Sequence, residues 1–461
     1  MSRNSDTGPP EQQPGSAMLI DQQTIDDLRI FSKDDNDRSI FQLCNSTRSS
    51  GGAKALRRRM AQPFAEVRQI RATQISLQFI MANRRLFDAL PSAWLMGRTD
   101  HYINDIQPIV TATNPVEFHL EALSLWWTQN RYYLGIVHGT RLCHQYLLAV
   151  TTFLQQPELQ SATGELRQLL DDLSVALQAA QPDNMKEPGK YRWFGEVLRE
   201  DQHFRLFCKP PLQQLLKLLY ELDALIALAD TSENNNLTMP QVMENELFVT
   251  ATGLRHPLLD NPVSNPLHLS QQGRVLFLTG PNMAGKTTYL RAFATAIYMA
   301  HLGMGVPAAS FQFSPADVLF SSISLSDDQL DGISYFRAEA LRVRDIARAV
   351  GAGQRVVAVL DEPFKGTNVK DALDASQAII ERFAVRPDCL FIFSSHLIEL
   401  SDVLQDHPQV DCRYFEADER EGRLRFDYRI HQGISLQRLG MRVLEEEGIF
   451  EALDSLSPGD P

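Results

Sequence analysis

The sequence predicts an α/β C-terminal domain preceded by an all-α region, and three observations predict it. Residues from about 17 to 235 place apolar side chains mainly at helical spacing. After about residue 240, short apolar runs alternate with turns and helical stretches. One of those runs, Val275–Thr279, leads through a glycine-containing turn into a helix.

In the helical region, Leu212, Leu215, Leu216, Leu219, Leu222 and Ile226 fall on one stripe, and similar stripes occupy 53–60, 142–153 and 166–177. Polar breaks fall at 182–188 and 232–236, and the second is the expected domain boundary. In the α/β region, Val275–Thr279, Val356–Leu360 and Leu390–Ser394 are continuous apolar runs of the kind that form buried parallel strands. Each ends in polar residues, where such sheets place their ligands. The expected layout is a disordered segment 1–16, a helical domain 17–235, an α/β domain 240–443 and an acidic tail 444–461.

With 461 residues the chain has room for two or three domains. A net charge of −13 argues against an overall basic coat for nucleic acid, so any such contact must come from a local patch. The five cysteines show no metal or CxxC spacing and read as free thiols in a reducing compartment. No run of about 18 apolar residues exists to span a membrane, and residues 1–16 lack the apolar core of a signal peptide. The expectation is a cytoplasmic protein with no membrane contact.

The turn after the first strand satisfies G-x-x-x-x-G-K-[ST] through Gly280, Gly285, Lys286 and Thr287. In a strand–turn–helix context, the loop of Gly280, Pro281, Asn282, Met283, Ala284 and Gly285 can wrap a phosphate with its N–H groups, with Lys286, Thr287 and Thr288 completing the pocket. This predicts binding of a nucleoside triphosphate. Lys286 supplies charge to the β- and γ-phosphates, and the Thr287 hydroxyl can ligate Mg²⁺. The second run delivers Asp361, suited to Mg²⁺, and Glu362, suited to polarise an attacking water. The third ends at His396, a neutral polar group able to reach the γ-phosphate or its water. Ser334 falls near the start of a helix striped by Phe336, Ala340, Val343, Ala347 and Val350; by itself it reads as an N-cap.

Together these elements resemble the MutS family of the ABC ATPase superclass. The resemblance rests on Thr279–Arg291, Gly332–Glu339, Leu360–Asn368 and Ser394–Leu400, with Gly253–Leu259 and Val306–Ala308 at the expected distances. It extends more loosely to Ser46–Phe64 and Tyr220–Ala229, which look like the start and end of the family's core and lever domain. The resemblance implies an ABC-type P-loop ATPase that uses ATP and Mg²⁺, with Glu362, His396 and Ser334 catalytic and Thr287 and Asp361 at the metal. It also implies a dimer, taken as a homodimer, in which Ser334 completes the partner's ATP site. DNA-linked work in mismatch repair or recombination follows, with nucleotide state gating a clamp on irregular duplex.

Departures from the family pattern qualify that reading. The core begins within 20–30 residues of Met1, so the mismatch-recognition and connector domains are expected to be missing, and 65–220 looks short for a full clamp. Ala284 stands where a loop glycine is common, and Pro262 or Val263 stands where an aromatic often stacks on adenine. For DNA, the densest basic cluster is Arg48, Lys54, Arg57, Arg58 and Arg59, which reads either as a phosphate-contacting face or as a solvated one. Trp126, Trp127, Tyr132 and Tyr133 read as core or interface rather than a base-stacking platform. The alternative function is an ATP-gated protein-interaction module regulating a repair partner.

Overall fold

The structure is a computed structural model that describes residues 17–32, 37–181, 193–281, 283–324, 335–397, 399–420, 423–435, 437, 444–445 and 448–454. The expected disorder of 1–16 and most of the acidic tail lie outside these residues. Two compact units form: one comprises 44–61 and 71–235, the other everything up to 43, 62–70 and everything from 236.

The chain enters through strand β1 (Leu19–Ile20), helix α1 (Gln22–Asp27) and helix α2 (Ile40–Cys44). The helices that follow are α3 (Ser50–Met60), α4 (Val67–Ala82), α5 (Ala93–Ile103), α6 (Pro115–Thr128), α7 (Asn130–Leu154), α8 (Gly164–Ala180), α9 (Phe194–Gln202) and α10 (Lys209–Asn234). The stripe read from α10 is buried throughout, and those of α3, α7 and α8 are mostly buried. Ser49 caps α3 by accepting from the Gly52 amide at 2.9 Å, and its hydroxyl donates to Asp223 of α10 at 2.8 Å. A Cβ on Gly52 would lie 2.0 Å from the Asp223 carboxylate, so only glycine admits this approach of α3 to α10.

The second unit contains β2 (Gln241–Val242), β3 (Val249–Leu254), β4 (Asn265–Leu269), β5 (Val275–Thr279), α11 (Lys286–His301), β6 (Ser310–Phe313), β7 (Val318–Ser322) and α12 (Tyr335–Gly351). It continues with β8 (Val356–Asp361), α13 (Val369–Ala384), β9 (Cys389–Ser394), α14 (Glu399–Leu404), β10 (Val410–Tyr414), β11 (Ala417–Arg420), β12 (Arg423–Phe426) and β13 (His431–Gln432). The main sheet runs β1-β7-β8-β9-β5-β10-β13, parallel except for β13. A second sheet runs β2-β6-β3-β4. Every residue of β5 and β9 is buried, as expected for central strands covered on both faces.

Two sequence expectations need correction. The segment 17–43, read as part of the helical region, belongs with the α/β unit. β1 extends the main sheet at β7, and the buried Asp27 of α1 accepts from Ser321 Oγ, Ile323 N and Ser324 N at 2.8, 2.8 and 3.0 Å. Apolar periodicity carries no signal for a two-residue strand held by side-chain hydrogen bonds. On α12, Ala340 and Ala347 are exposed, whereas Glu339 and Arg342 are buried. Arg342 donates to Asp21, Thr24 Oγ1 and the Ser321 carbonyl, so pairing rather than hydrophobicity places it inside. Among the described residues, no helix is long and apolar enough to cross a membrane.

His301 at the end of α11 gives a pH test of this packing. It is fully buried; Nδ1 donates to the Ile297 carbonyl at 2.7 Å and Nε2 accepts from the Ala316 amide at 2.9 Å. Burial pushes its pKa down to about 4. The folded state therefore resists protonation, and its stability falls as pH drops from the ordinary value of 6.5 towards 4, by about 3 kcal/mol in full. Denaturant unfolding at pH 7 and pH 5 should show a smaller acid loss in His301→Gln than in the wild type.

Candidate functional site

Three neighbouring strands end at one level. Ser394 of β9 pairs with Leu278 of β5 and with Asp361 of β8, so the residues just past each strand converge. β5 leads into the 280–285 turn and then α11, whose N-cap is Gly285 at φ 108°. A Cβ on Gly280, at φ 132°, would lie 2.4 Å from the Phe415 carbonyl, so this close turn requires glycine. The other left-handed residue of the turn is Met283, at φ 72°. Ala284 is buried and keeps out of that region, which is why no glycine is needed there.

Lys286 is 4% exposed, and its ammonium donates to the carbonyls of Gly280 and Pro281 at 2.6 and 3.2 Å. Glu362 lies 3.8 Å away. Burial lowers the Lys286 pKa, opposed by Glu362 and Asp361. Thr287 Oγ1 donates to Asp361 Oδ2 at 2.5 Å, while Asp361 Oδ1 is buried without a hydrogen-bond partner. Glu362 sits at φ 49°, its amide donating to the Ser394 carbonyl at 2.9 Å. That backbone aims its carboxylate between Lys286 and His396, both 3.8 Å from Oε1. The Glu362 carboxylate raises the His396 pKa, and the same contact together with Lys286 lowers that of Glu362.

Past these groups opens a cleft of about 480 Å³. Pro281, Met283, Gly285, Lys286, Thr287, Thr288, Asp361 and Glu362 line it, as do Pro262, Val263, Asn265 and Tyr428. The set fits a magnesium triphosphate on two counts: a buried ammonium at the mouth of a glycine turn, and an orphaned carboxylate oxygen beside a hydroxyl.

Tyr428 was not legible in the sequence. Asn265 fixes it by donating to its carbonyl at 2.9 Å while accepting from the Ile430 amide at 2.8 Å. Its ring lies against Gly285, about 3.4 Å from where a Cβ there would stand. Pro262 and Val263 line the same cleft but carry no ring. Tyr428 takes a positive φ of 56°, a backbone state that nothing in the sequence around it announces.

The structure thus brings Lys286, Thr287, Asp361, Glu362 and His396 together. Asn282 and Ser334 lie outside the described residues. The basic cluster is largely neutralised inside the helical unit. Arg59 is bidentate to Glu165 at 2.7 and 2.5 Å, Arg58 pairs with Glu221, and Arg48 pairs with Asp88 at 2.9 Å. Trp126 stacks on Phe194 at 5.2 Å, and Tyr132 and Tyr133 pack on an apolar cluster. Trp127 is 77% exposed, so of the core-or-interface reading only the core half is closed to it. All five cysteines are free thiols.

Residues 23–229 match the family model described as MutS domain III, and residues 276–453 match MutS domain V. DNA mismatch repair protein MutS of Geobacillus sp. (strain WCH70) is 33% identical over 242 residues, which is 51% of this chain and 28% of that protein. The match therefore spans little more than a quarter of the relative's length.

The Glu362–His396 contact has a direct readout. The imidazolium is favoured by its carboxylate, so the ion pair holds below the raised His396 pKa and is lost as pH rises through it. It is also lost as pH falls through the lowered pKa of Glu362. NMR titration should place His396 above 6.5 in the wild type and lower it in Glu362→Gln; an unchanged midpoint would sever the pair.

Proposed function

From the premise that the chain belongs to the MutS family, we propose that it is an ATPase whose α/β unit is an ABC-type P-loop domain. The observation that carries this reading is the meeting of Lys286, Thr287, Asp361 and Glu362 at the end of one sheet. The Gly280–Gly285 turn and the N-terminus of α11 bind the phosphates, and Lys286 exchanges its two carbonyl partners for phosphate oxygens. Tyr428 packs against the base, while Thr287 and Asp361 would hold Mg²⁺, which when bound would supply positive charge to the phosphate oxygens.

Glu362 holds the attacking water and takes its proton as the water oxygen bonds to the γ-phosphorus in line, breaking the bond to the β-phosphate oxygen so that ADP leaves. Its lowered pKa keeps it ionised and ready to accept. His396 orients that carboxylate, and Ser334 from a second subunit completes the site. In this reading the helical unit is a core and lever. Nucleotide state then gates a dimeric clamp on irregular or mismatched duplex DNA in repair or recombination.

One observation favours a second reading. Three of the five residues of the basic cluster, read either as a DNA-contacting or as a solvated face, are ion-paired with Glu165, Glu221 and Asp88. An ATP-gated module acting on a protein partner needs no such patch.

Lys286→Ala should abolish nucleotide binding. Glu362→Gln should retain binding but lower turnover about 10²–10⁴-fold, the usual share of a general base. Normal turnover in that variant would sink the assignment. Titrating duplex, mismatched and branched DNA at several salt concentrations, with and without ATP, separates the two readings. Salt-sensitive binding supports the clamp, and indifference to every DNA supports the interaction module.

A further inference from the structure

Between the end of β8 at Asp361 and the start of α13 at Val369 the chain passes through a turn with no helix or strand of its own. Two residues of this turn take left-handed backbone, Glu362 at φ 49° and Phe364 at φ 68°. Side-chain-bearing residues hold that state only where their surroundings impose it. Helix α12 imposes it from two points one turn apart. The Phe336 ring meets the buried Phe364 ring at 5.9 Å between centroids. Three residues on, the Glu339 carboxylate faces three consecutive amides, those of Phe364, Lys365 and Gly366, the last donating to Oε2 at 3.4 Å. Successive amides gathered around a left-handed residue form a cradle for an anion, and here the anion is a side chain of the protein itself.

We infer that Glu339 is a positioning residue for Glu362: by gripping the amides of 364–366 it fixes the turn that aims the Glu362 carboxylate at Lys286 and His396. The geometry leaves this work to be done. The Glu362 amide is tied to the Ser394 carbonyl, which fixes the chain entering the turn but not the chain leaving it. Oε1 stands 3.8 Å from both Lys286 and His396, longer than a direct hydrogen bond. A cavity of about 70 Å³ lined by Glu362, Pro363, Lys365, Thr367 and His396 adjoins these contacts, so the carboxylate has room to swing aside.

A glutamate suits this task because an ionised carboxylate only accepts, on both oxygens, and so matches a set of donors that a side-chain amide would partly oppose. Burial raises the Glu339 pKa, while the three amides and the Lys365 charge hold it down, so the turn is built around the ionised form. Helix stability alone does not place the residue here, since an exposed glutamate serves a helix as well. Glu339 is instead 3% exposed, having given up water for the turn. It does not line the cleft, so it acts through the backbone beside Glu362 and not on the nucleotide.

This role rests on the ATPase reading for its kinetic consequence alone, since the Glu362–His396 contact is made without nucleotide. In the nucleotide-free full chain, Glu339→Gln should bring the NMR midpoint of His396 down toward 6.5, because the carboxylate that raises it no longer faces the ring. With ATP, the same variant should lose about 100-fold in kcat at an unchanged Kd for ATP, the mark of a misplaced group rather than of a lost binding contact. Arg342→Lys loosens the same helix through its contacts to Asp21 and the Ser321 carbonyl, and should leave the His396 midpoint at its wild-type value. Where Glu339→Gln does not fold, Glu339→Asp withdraws the charge by one methylene and should move the midpoint in the same direction. An unmoved midpoint in a folded Glu339 variant, an equal fall in Arg342→Lys, or a weaker Kd at unchanged kcat would overturn the proposal. A midpoint shift in a chain that hydrolyses no ATP would support the positioning and count against the ATPase reading alone.

Discussion

The register of β5, β8 and β9 is the constraint on which the site depends. Because Ser394 stands level with both Leu278 and Asp361, three separate stretches of chain reach the same edge of the sheet together. A shift of one residue in any of them would turn buried side chains outward and separate Lys286, Glu362 and His396. The hydrophobic burial that fixes the register therefore also fixes the chemistry. Phe277, Phe391 and Phe393, all but fully buried in the central strands, hold polar groups beyond their ends that could not hold themselves.

Asp27 is buried and Asp361 half-buried, and their carboxylates are met differently. Asp27 accepts from a hydroxyl and two amides, which leaves its carboxylate satisfied and its segment locked to the end of β7. Asp361 has one short contact to Thr287 and one oxygen with no partner. An unmet buried acceptor costs about 1–3 kcal/mol, more when charged, and survives only where something other than fold stability keeps it. Lys286 is a buried ammonium held by two carbonyls and by the Glu362 carboxylate at 3.8 Å, so a positive charge also stands at the cleft. Two opposite, incompletely answered charges facing one cleft are what a magnesium phosphate would satisfy.

Much of this was legible in sequence because it is written in periodicity and in glycine spacing. The helical stripe of α10, the three central strands and the residues that end them all follow from local pattern. Features made by distant pairing were not legible. β1 is too short to have a period, and Arg342 and Glu339 are buried through partners far away in the chain. Tyr428 reaches the cleft only because Asn265, more than 160 residues earlier, grips the backbone on both sides of it. Pro262 and Val263, read in the sequence as standing where an aromatic is common, line the same cleft as the Tyr428 ring.

The same logic of satisfied and unsatisfied groups applies to the helical unit. Its buried and half-buried arginines are paired: Arg59 with Glu165, Arg84 with Asp230 at 2.6 Å, and Arg205 with Asp201 and the carbonyls of Asp105 and Gln107. Such pairs tie distant stretches of the unit together. Along α6 the unmet surface is apolar, with Trp127 at its end. Exposed apolar seams are costly to keep, because they aggregate unless something covers them.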